Sequence, residues 1–256
     1  MGTFLVTGGT GVLGRVVVER LREGGHEVRV LSRRAGAGTH VGDLESGAGV
    51  VEAAAGVDAI AHAASNSRRF GNTDVAQTDT VIRAAAETGV GNLVYISIVG
   101  IDRIPFRYYR NKLACEQRIA ESDVPHTILR ATQFHELIAS ALLITGRLPI
   151  TPLPLDFRFQ PVAAAEVAVR AAELAVGSPL GFAPDFGGPQ VLTLRELIDI
   201  WRQVHPHPRA VPMPLPGRIA KSFRAGFNTC PDHAEGTLSW SDYARTATVD
   251  PYAAKK

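Results

Sequence analysis

Phe4-Leu-Val-Thr-Gly-Gly-Thr-Gly-Val-Leu-Gly14 decides how this chain reads. Phe4 to Val6 is a short apolar run of the kind a buried strand makes. Gly8, Gly11 and Gly14 follow at intervals of three. From Val12 the apolar residues switch to helical spacing, with Leu13, Val16, Val17 and Leu21 on one face. Strand, glycine turn and helix are the setting that a dinucleotide fingerprint requires. Glycine allows a sharp turn and lets a pyrophosphate lie against the backbone with no Cβ in the way. The free N–H groups at the positive end of the helix then face the phosphates. A glycine triplet alone is also an ordinary tight turn. Its place between a strand and a helix, with a second strand following, selects the cofactor reading. Gly8, Thr10, Gly11, Val12, Leu13 and Gly14 are the expected contacts.

Working outward, Gly24-Gly25 stops the helix. Glu27 to Leu31 alternates into a second strand that ends at Ser32-Arg33-Arg34. In such a fold this end meets the adenosine ribose, where an acidic residue would bond the 2′-hydroxyl and repel a 2′-phosphate. Here Ser32 is followed by two arginines, whose guanidinium groups suit phosphate oxygens. That pattern predicts NADP rather than NAD, against the alternative of a solvated basic turn. His40-Val-Gly-Asp-Leu44 reads as a short third strand ending at Asp43, with Asp43 and Leu44 expected at the adenine. Asp43 has an equal alternative as a helix N-cap for the segment that follows. Val57 to Ala61 reads as a fourth strand, and Ala63 and Ala64 after it leave room for a ribose. His62 reads as structural. Ser67-Arg-Arg69 opens a polar loop, Thr78 to Thr88 a helix, and Asn92 to Ile96 a fifth strand ending at Ser97.

Pro105 suits the first turn of a helix over Phe106 to Glu121. Tyr108 and Lys112 stand four apart on it and share a face, and Glu116, one further step along, is expected to pair with Lys112. A tyrosine of ordinary pKa is a poor acid–base group at neutral pH. A nearby ammonium would lower that pKa, so Tyr-x-x-x-Lys makes a usable proton-transfer pair. His126 to Leu129 reads as a sixth strand. Arg130 to Glu136 follows at its carboxyl end, with Thr132 and Phe134 expected beside the nicotinamide. His135 and Glu136 are open to two readings, facing a substrate or capping and packing locally.

With the fingerprint, Asp43, Ser97 and Tyr108-x-x-x-Lys112 in this order, the chain resembles the short-chain dehydrogenase/reductase superfamily. Tyr95-Ile-Ser-Ile-Val-Gly100, Tyr108-Tyr-Arg-Asn-Lys-Leu-Ala-Cys-Glu116 and Ile128-Leu-Arg-Ala-Thr-Gln-Phe134 are similar to NmrA-like NAD(P)-binding proteins of its atypical and extended branches. The resemblance covers roughly the first two-thirds of the chain. It implies a Rossmann-like parallel sheet flanked by helices, an NADP site and a small C-terminal substrate lobe. It assigns proton transfer to Tyr108, ribose contact and support of the tyrosine to Lys112, and steadying of the substrate oxygen to Ser97. Ile98 stands where many catalytic members carry a second serine, and several NmrA-like relatives bind the cofactor without turnover.

At 256 residues with 45% hydrophobic content, the chain fits a single core with a small lobe. A net charge of +2 excludes a strong pull toward nucleic acid or membrane. The first strand starts by Thr3, leaving no room for a signal peptide, and no apolar run nears the roughly 20 residues of a membrane helix. Cys115 and Cys230 have no metal or redox spacing, which fits a reducing cytoplasm. Only Pro105 and Pro125 precede residue 148, while 14 of the 16 prolines follow it. The reading is therefore one NAD(P)-binding domain over 1–256. Residues 1–148 form a regular cofactor core, and 149–256 are mostly a loop-rich substrate lobe, with Gln160-Pro-Val162 and a helix from Glu166 to Ala175 returning to the core. Leu194, Leu197, Ile198 and Trp201 form an apolar helix face. Five prolines from Pro206 to Pro216 exclude a regular element. Phe223, Phe227 and Trp240 line a pocket or cover the sheet. Arg218, Lys221 and Arg224 read as a solvated face. The leading function is NADP-dependent hydride transfer to a small carbonyl- or quinone-like molecule, and the alternative is a non-catalytic NADP-binding redox sensor. A sugar-nucleotide epimerase is disfavoured by the two arginines. The pattern selects no oligomeric state.

Overall fold

The apolar run that opens the chain becomes β1 (Thr3–Thr7), buried from Phe4 to Thr7. A strand buried on both faces needs parallel neighbours with helices above and below, and the alternating pattern supplies them. In the computed structural model, which describes residues 1–36, 38–66, 71–146, 150–206 and 209–247, the chain continues through α1 (Val12–Glu23), β2 (Glu27–Ser32), β3 (Thr39–Val41), α2 (Val50–Ala54), β4 (Ala59–His62), α3 (Asp74–Thr88), β5 (Asn92–Ile98), α4 (Arg107–Ala120) and β6 (His126–Ala131). With the later β9 (Gly181–Phe182) these strands form a seven-stranded parallel sheet in the order β3-β2-β1-β4-β5-β6-β9. The result is a Rossmann-like α/β fold. The order reverses between β1 and β4, which makes the crevice at their carboxyl ends the expected ligand site.

Two compact units divide the chain. The first contains Met1–Ser97, Arg107–Arg130 and Ala165–Pro184, so it takes in β9 and most of α6 (Ala164–Val176). Its core joins Leu5, Ile60, Leu93 and Ile128 from the sheet to Val81 of α3 and to Cys115 and Ile119 of α4. The second contains Ile98–Phe106, Ala131–Ala164 and Asp185–Lys256. It holds α5 (His135–Thr145), β7 (Ile150–Leu153), β8 (Arg158–Phe159), β10 (Leu192–Thr193), α7 (Leu194–Trp201), β11 (Arg209–Pro212), α8 (Arg218–Arg224) and α9 (Trp240–Thr246). α7 starts where the sequence offers Thr193-Leu-Arg-Glu196, a reciprocal capping box observed in full. Its expected apolar face is real: Leu197, Ile198 and Trp201 are buried, and Trp201 stacks on Trp240 at 5.6 Å.

Several expectations need correction. The proline-rich stretch does contain a strand, β11, which pairs in parallel with β7. Proline is tolerated there because a two-stranded pair has only edges. α3 begins at Asp74, four residues before the predicted start, and β6 runs on through Arg130 and Ala131. Pro105 precedes α4 rather than opening it. Arg224 is not merely solvated: it bonds Asp156 and donates to the Leu215 carbonyl at 3.0 Å. Phe223 stacks on Phe157 at 5.3 Å, and Phe227 lies under the Arg103 guanidinium at 3.6 Å. Residues 67 to 69, expected as a polar loop, lie outside the described residues.

Candidate cofactor and proton-transfer site

β1 ends at Thr7 and the chain turns at Gly8, whose φ of +69° is left-handed. A Cβ at Gly8 would lie 2.7 Å from Ala64 N and 2.8 Å from Ala63 O, so the turn packs on the backbone that follows β4. A Cβ at Gly14 would stand 2.3 Å from Gly8 O. Only glycine allows the helix this close to the strand end. Gly11 caps α1 with no side-chain acceptor. The first-turn N–H groups, Thr10, Val12 and Leu13 among the residues around them, are thus left for an anion. The cradle sits at the switch point between β1 and β4, and Gly8, Ala63 and Ala64 leave it lined by backbone. These residues fit a dinucleotide pyrophosphate.

The register Thr7↔Leu31 brings the end of β2 level with the glycine turn. Ser32 Oγ accepts from Arg34 N at 3.1 Å, while Arg33 and Arg34 are exposed. Asp43 Oδ1 accepts from Glu45 N at 2.9 Å, a local turn rather than a helix cap, since α2 starts only at Val50. Leu44 is buried in the core.

The second cluster gathers around β5 and α4. Ser97, near the carboxyl end of β5, is 3% exposed, and its Oγ has no hydrogen-bond partner among the described residues. Lys112, 4% exposed, donates to the Ile96 carbonyl at 2.7 Å and lies 4.0 Å over the Tyr95 ring. Burial lowers its pKa. Tyr108 hydrogen-bonds Ser65 at 2.9 Å, and burial pushes its pKa up to about 12. The expected lowering by Lys112 is not what this arrangement produces: desolvation of the phenolate dominates. Nor does Glu116 pair with Lys112. It takes a two-pronged bond from Arg130, Nε to Oε1 at 2.9 Å and Nη2 to Oε2 at 2.7 Å. The fork suits a carboxylate that is 2% exposed.

His62 is structural, as expected. Thr7 Oγ1 lies 2.6 Å from its Nδ1 and Thr78 Oγ1 lies 3.3 Å from its Nε2. Burial, then Lys112, lowers its pKa to about 3, so it is neutral. In the second unit, Thr132 follows β6 with a buried Oγ1 that has no hydrogen-bond partner among the described residues, and its N–H donates to Phe186 O at 3.0 Å. Phe134 is the N-cap residue of α5. His135 is fully buried against Tyr243 and Trp240, and Glu136 accepts from Ala164 N at 3.3 Å, so the local reading of both holds.

Two residues joined to this cluster were not foreseen, Ser65 and Asp74. They stand nine apart in the sequence, a spacing that no strand or helix period brings together; the only cue was Ser65 following small residues at a strand's carboxyl end.

A model of the NAD(P)H-binding family matches residues 8–147, more than half of the chain. The 2-alkyl-3-oxoalkanoate reductase of Stenotrophomonas maltophilia is 33% identical, with 45% of this chain and 45% of that protein covered. The chain thus spans less than half the length of that relative. The fold is similar to that of the NADPH-dependent quinone oxidoreductase of Escherichia coli complexed with NADPH, at TM-score 0.79 and 19% identity, covering 94% of this chain and 98% of that one. It is also similar to a short-chain dehydrogenase/reductase superfamily protein of Agrobacterium tumefaciens with bound NAD, at TM-score 0.70 and 20% identity, covering 94% of each. At these identities the likeness is one of fold. Among the described residues no helix is long and apolar enough to cross a membrane. With its family matched from the first glycine of the turn onward, this chain belongs to the NAD(P)H-binding family.

Proposed function

We propose that this protein is an NADP-dependent oxidoreductase acting on a small carbonyl- or quinone-like molecule. When bound, the nicotinamide supplies or accepts the hydride. The backbone from Gly8 to Gly14 holds the pyrophosphate, Arg33 reads the 2′-phosphate with Arg34 beside it, and Asp43 and Leu44 border the adenine. Ala63 and Ala64 leave room for the ribose, and Lys112 supports the nicotinamide ribose.

The observation that carries the reading is the buried Ser97 hydroxyl, which has no partner among the described residues. Leaving such a group unbonded costs about 1–3 kcal/mol, and a substrate oxygen would take its hydrogen bond. Tyr108 belongs to the same unit, and its raised pKa keeps a proton on the phenol throughout the neutral range. Tyr108 can therefore give a proton to a substrate oxygen that Ser97 steadies. The names of the reductase relative and of the quinone oxidoreductase neighbour support this class of substrate.

A second reading is an NADP-binding sensor without turnover. Lys112 favours it, being committed to the Ile96 carbonyl and the Tyr95 ring. A panel of carbonyl and quinone substrates, followed by NADPH absorbance, separates the two. General acid catalysis contributes about 10²–10⁴-fold, so Tyr108→Phe is expected to lose that much turnover while NADPH affinity stays within about threefold. Equal turnover in wild type and Tyr108→Phe would remove Tyr108 as the donor. Tight NADPH binding with no turnover across the panel would favour the sensor.

A further inference from the structure

Ser65 has one proton to give, and Asp74 takes it. Ser65 Oγ donates to Asp74 Oδ2 at 2.6 Å, and Asp74 Oδ1 accepts from Asn66 N at 2.9 Å. Asp74 is 2% exposed and stands in the first turn of α3, where the helix end favours a carboxylate. With its own proton committed, Ser65 can only accept from Tyr108, 2.9 Å away. The phenol proton therefore points at Ser65. Gly71 closes the cluster: a Cβ there would lie 3.0 Å from Asp74 Oδ2 and 3.2 Å from Tyr108 Cδ2.

We propose that Ser65 and Asp74 are positioning residues for Tyr108, a hydroxyl–carboxylate latch that parks its proton and then supports the phenolate. The proposal rests on the reading of Tyr108 as proton donor. In the parked state the chain of bonds runs from Tyr108 to Ser65 to Asp74. On arrival of the oxygen of a carbonyl being reduced, the Tyr108 O–H bond breaks and an O–H bond forms on the substrate. The bonding pair stays on Tyr108 as a phenolate. Ser65 then turns its O–H from Asp74 to the phenolate without losing it, and Asp74 keeps the Asn66 N–H. Solvent water later returns a proton to Tyr108.

The two residues act on the phenolate with opposite signs. A bond from Ser65 stabilises it, whereas the Asp74 charge opposes it. Among the described residues, the other groups that bear on Tyr108 are Tyr95 from β5 and Cys115 and Tyr109 from its own helix, and they are the same in every variant. A purely structural contact would move ionisation in one direction or not at all.

The test needs neither cofactor nor substrate. Rapid pH jumps followed by tyrosinate absorbance, each variant subtracted against the same protein carrying Tyr108→Phe, isolate Tyr108. Asp74→Asn is expected to ionise at lower pH than wild type, Ser65→Ala at higher pH, and Ser65→Thr to restore the wild-type position. With a working substrate, Ser65→Ala should lose about ten- to a hundredfold in kcat, the worth of a hydrogen bond to a charged group, with KM little changed. Shifts in the same direction, or none, would overturn the latch. If Tyr108→Phe loses turnover without those opposite shifts, the latch fails and the donor reading stands. If the opposite shifts appear while Tyr108→Phe turns over normally, the latch stands and the donor reading fails.

Discussion

In the first unit Leu5, Ile60, Leu93 and Ile128 are fully buried, and each sits on a strand paired in the parallel sheet. In the second unit the buried amides Gln133, Gln160 and Asn228 do much of the joining. Gln160 Nε2 donates to Gly188 O at 2.8 Å, and its Oε1 accepts from Cys230 N at 2.7 Å. Asn228 Nδ2 donates to Arg158 O at 2.8 Å, and Gln133 Nε2 donates to Asn228 O at 3.1 Å, across 95 residues of chain. The sheets of the second unit have two strands each and satisfy few backbone groups. Buried backbone groups that a sheet does not pair must find side chains instead. Apolar burial is non-directional and tolerates small changes of shape, whereas an amide network fails when one member is lost.

That contrast is open to direct attack. Gln160→Leu would orphan Cys230 N–H and Gly188 O, at about 1–3 kcal/mol each, so a loss of about 2–6 kcal/mol is expected in denaturant unfolding. Ile60→Val in the first unit should lose only about 0.5–1.5 kcal/mol. Similar losses for both would collapse the distinction.

The first unit has its own intolerant point. Gly14→Ala places a Cβ 2.3 Å from Gly8 O, a backbone atom that cannot swing aside. Destabilisation of about 1–3 kcal/mol is expected, together with weaker cofactor binding, read by melting temperature with and without NADPH. A variant as stable as wild type would mean that the turn relaxes freely. Arg33→Ala sharpens the comparison from the surface, where no packing is at stake. NADPH should bind about ten- to a hundredfold more weakly, the worth of one charged hydrogen bond, and NADH nearly unchanged. Calorimetric titration decides it, and equal losses would show that Arg33 does not read the phosphate.

A pH dependence comes from His62, a buried polar group within the apolar unit. Burial holds its folded pKa at about 3, below the ordinary value of 6.5. Between these values the unfolded state binds the extra proton, so stability rises with pH there and is lost as pH falls through the window. One such group gives a slope of at most about 1.4 kcal/mol per pH unit. His62→Gln should flatten the dependence of the urea midpoint on pH in that range; an unchanged slope would assign it to other groups.

Legibility divided along another line, periodic elements against pairings. The first six strands of the sheet and α1, α3 and α4 could be read because each carries its own period, whether an apolar run or a helical stripe. The misread points were pairings. Glu116 has two cations within reach of a sequence argument, Lys112 one helical turn away and Arg130 on the next strand. Only the packing of α4 beside β6 chose Arg130. β11 was hidden because prolines argue against a strand, and the partner that makes it one, β7, is distant in sequence.

What the sequence determined by itself was the α/β alternation, the glycine turn and the family, since the close approach of turn, strand and helix backbones admits almost nothing but glycine at Gly8 and Gly14. What only the tertiary structure decided was where each polar side chain spends its hydrogen bonds. Tyr108 turned to Ser65 rather than Lys112, and Lys112 to the Ile96 carbonyl. Burial settles these choices: once water is excluded, each proton goes to the acceptor that folding has brought within reach, and sequence spacing does not carry that distance.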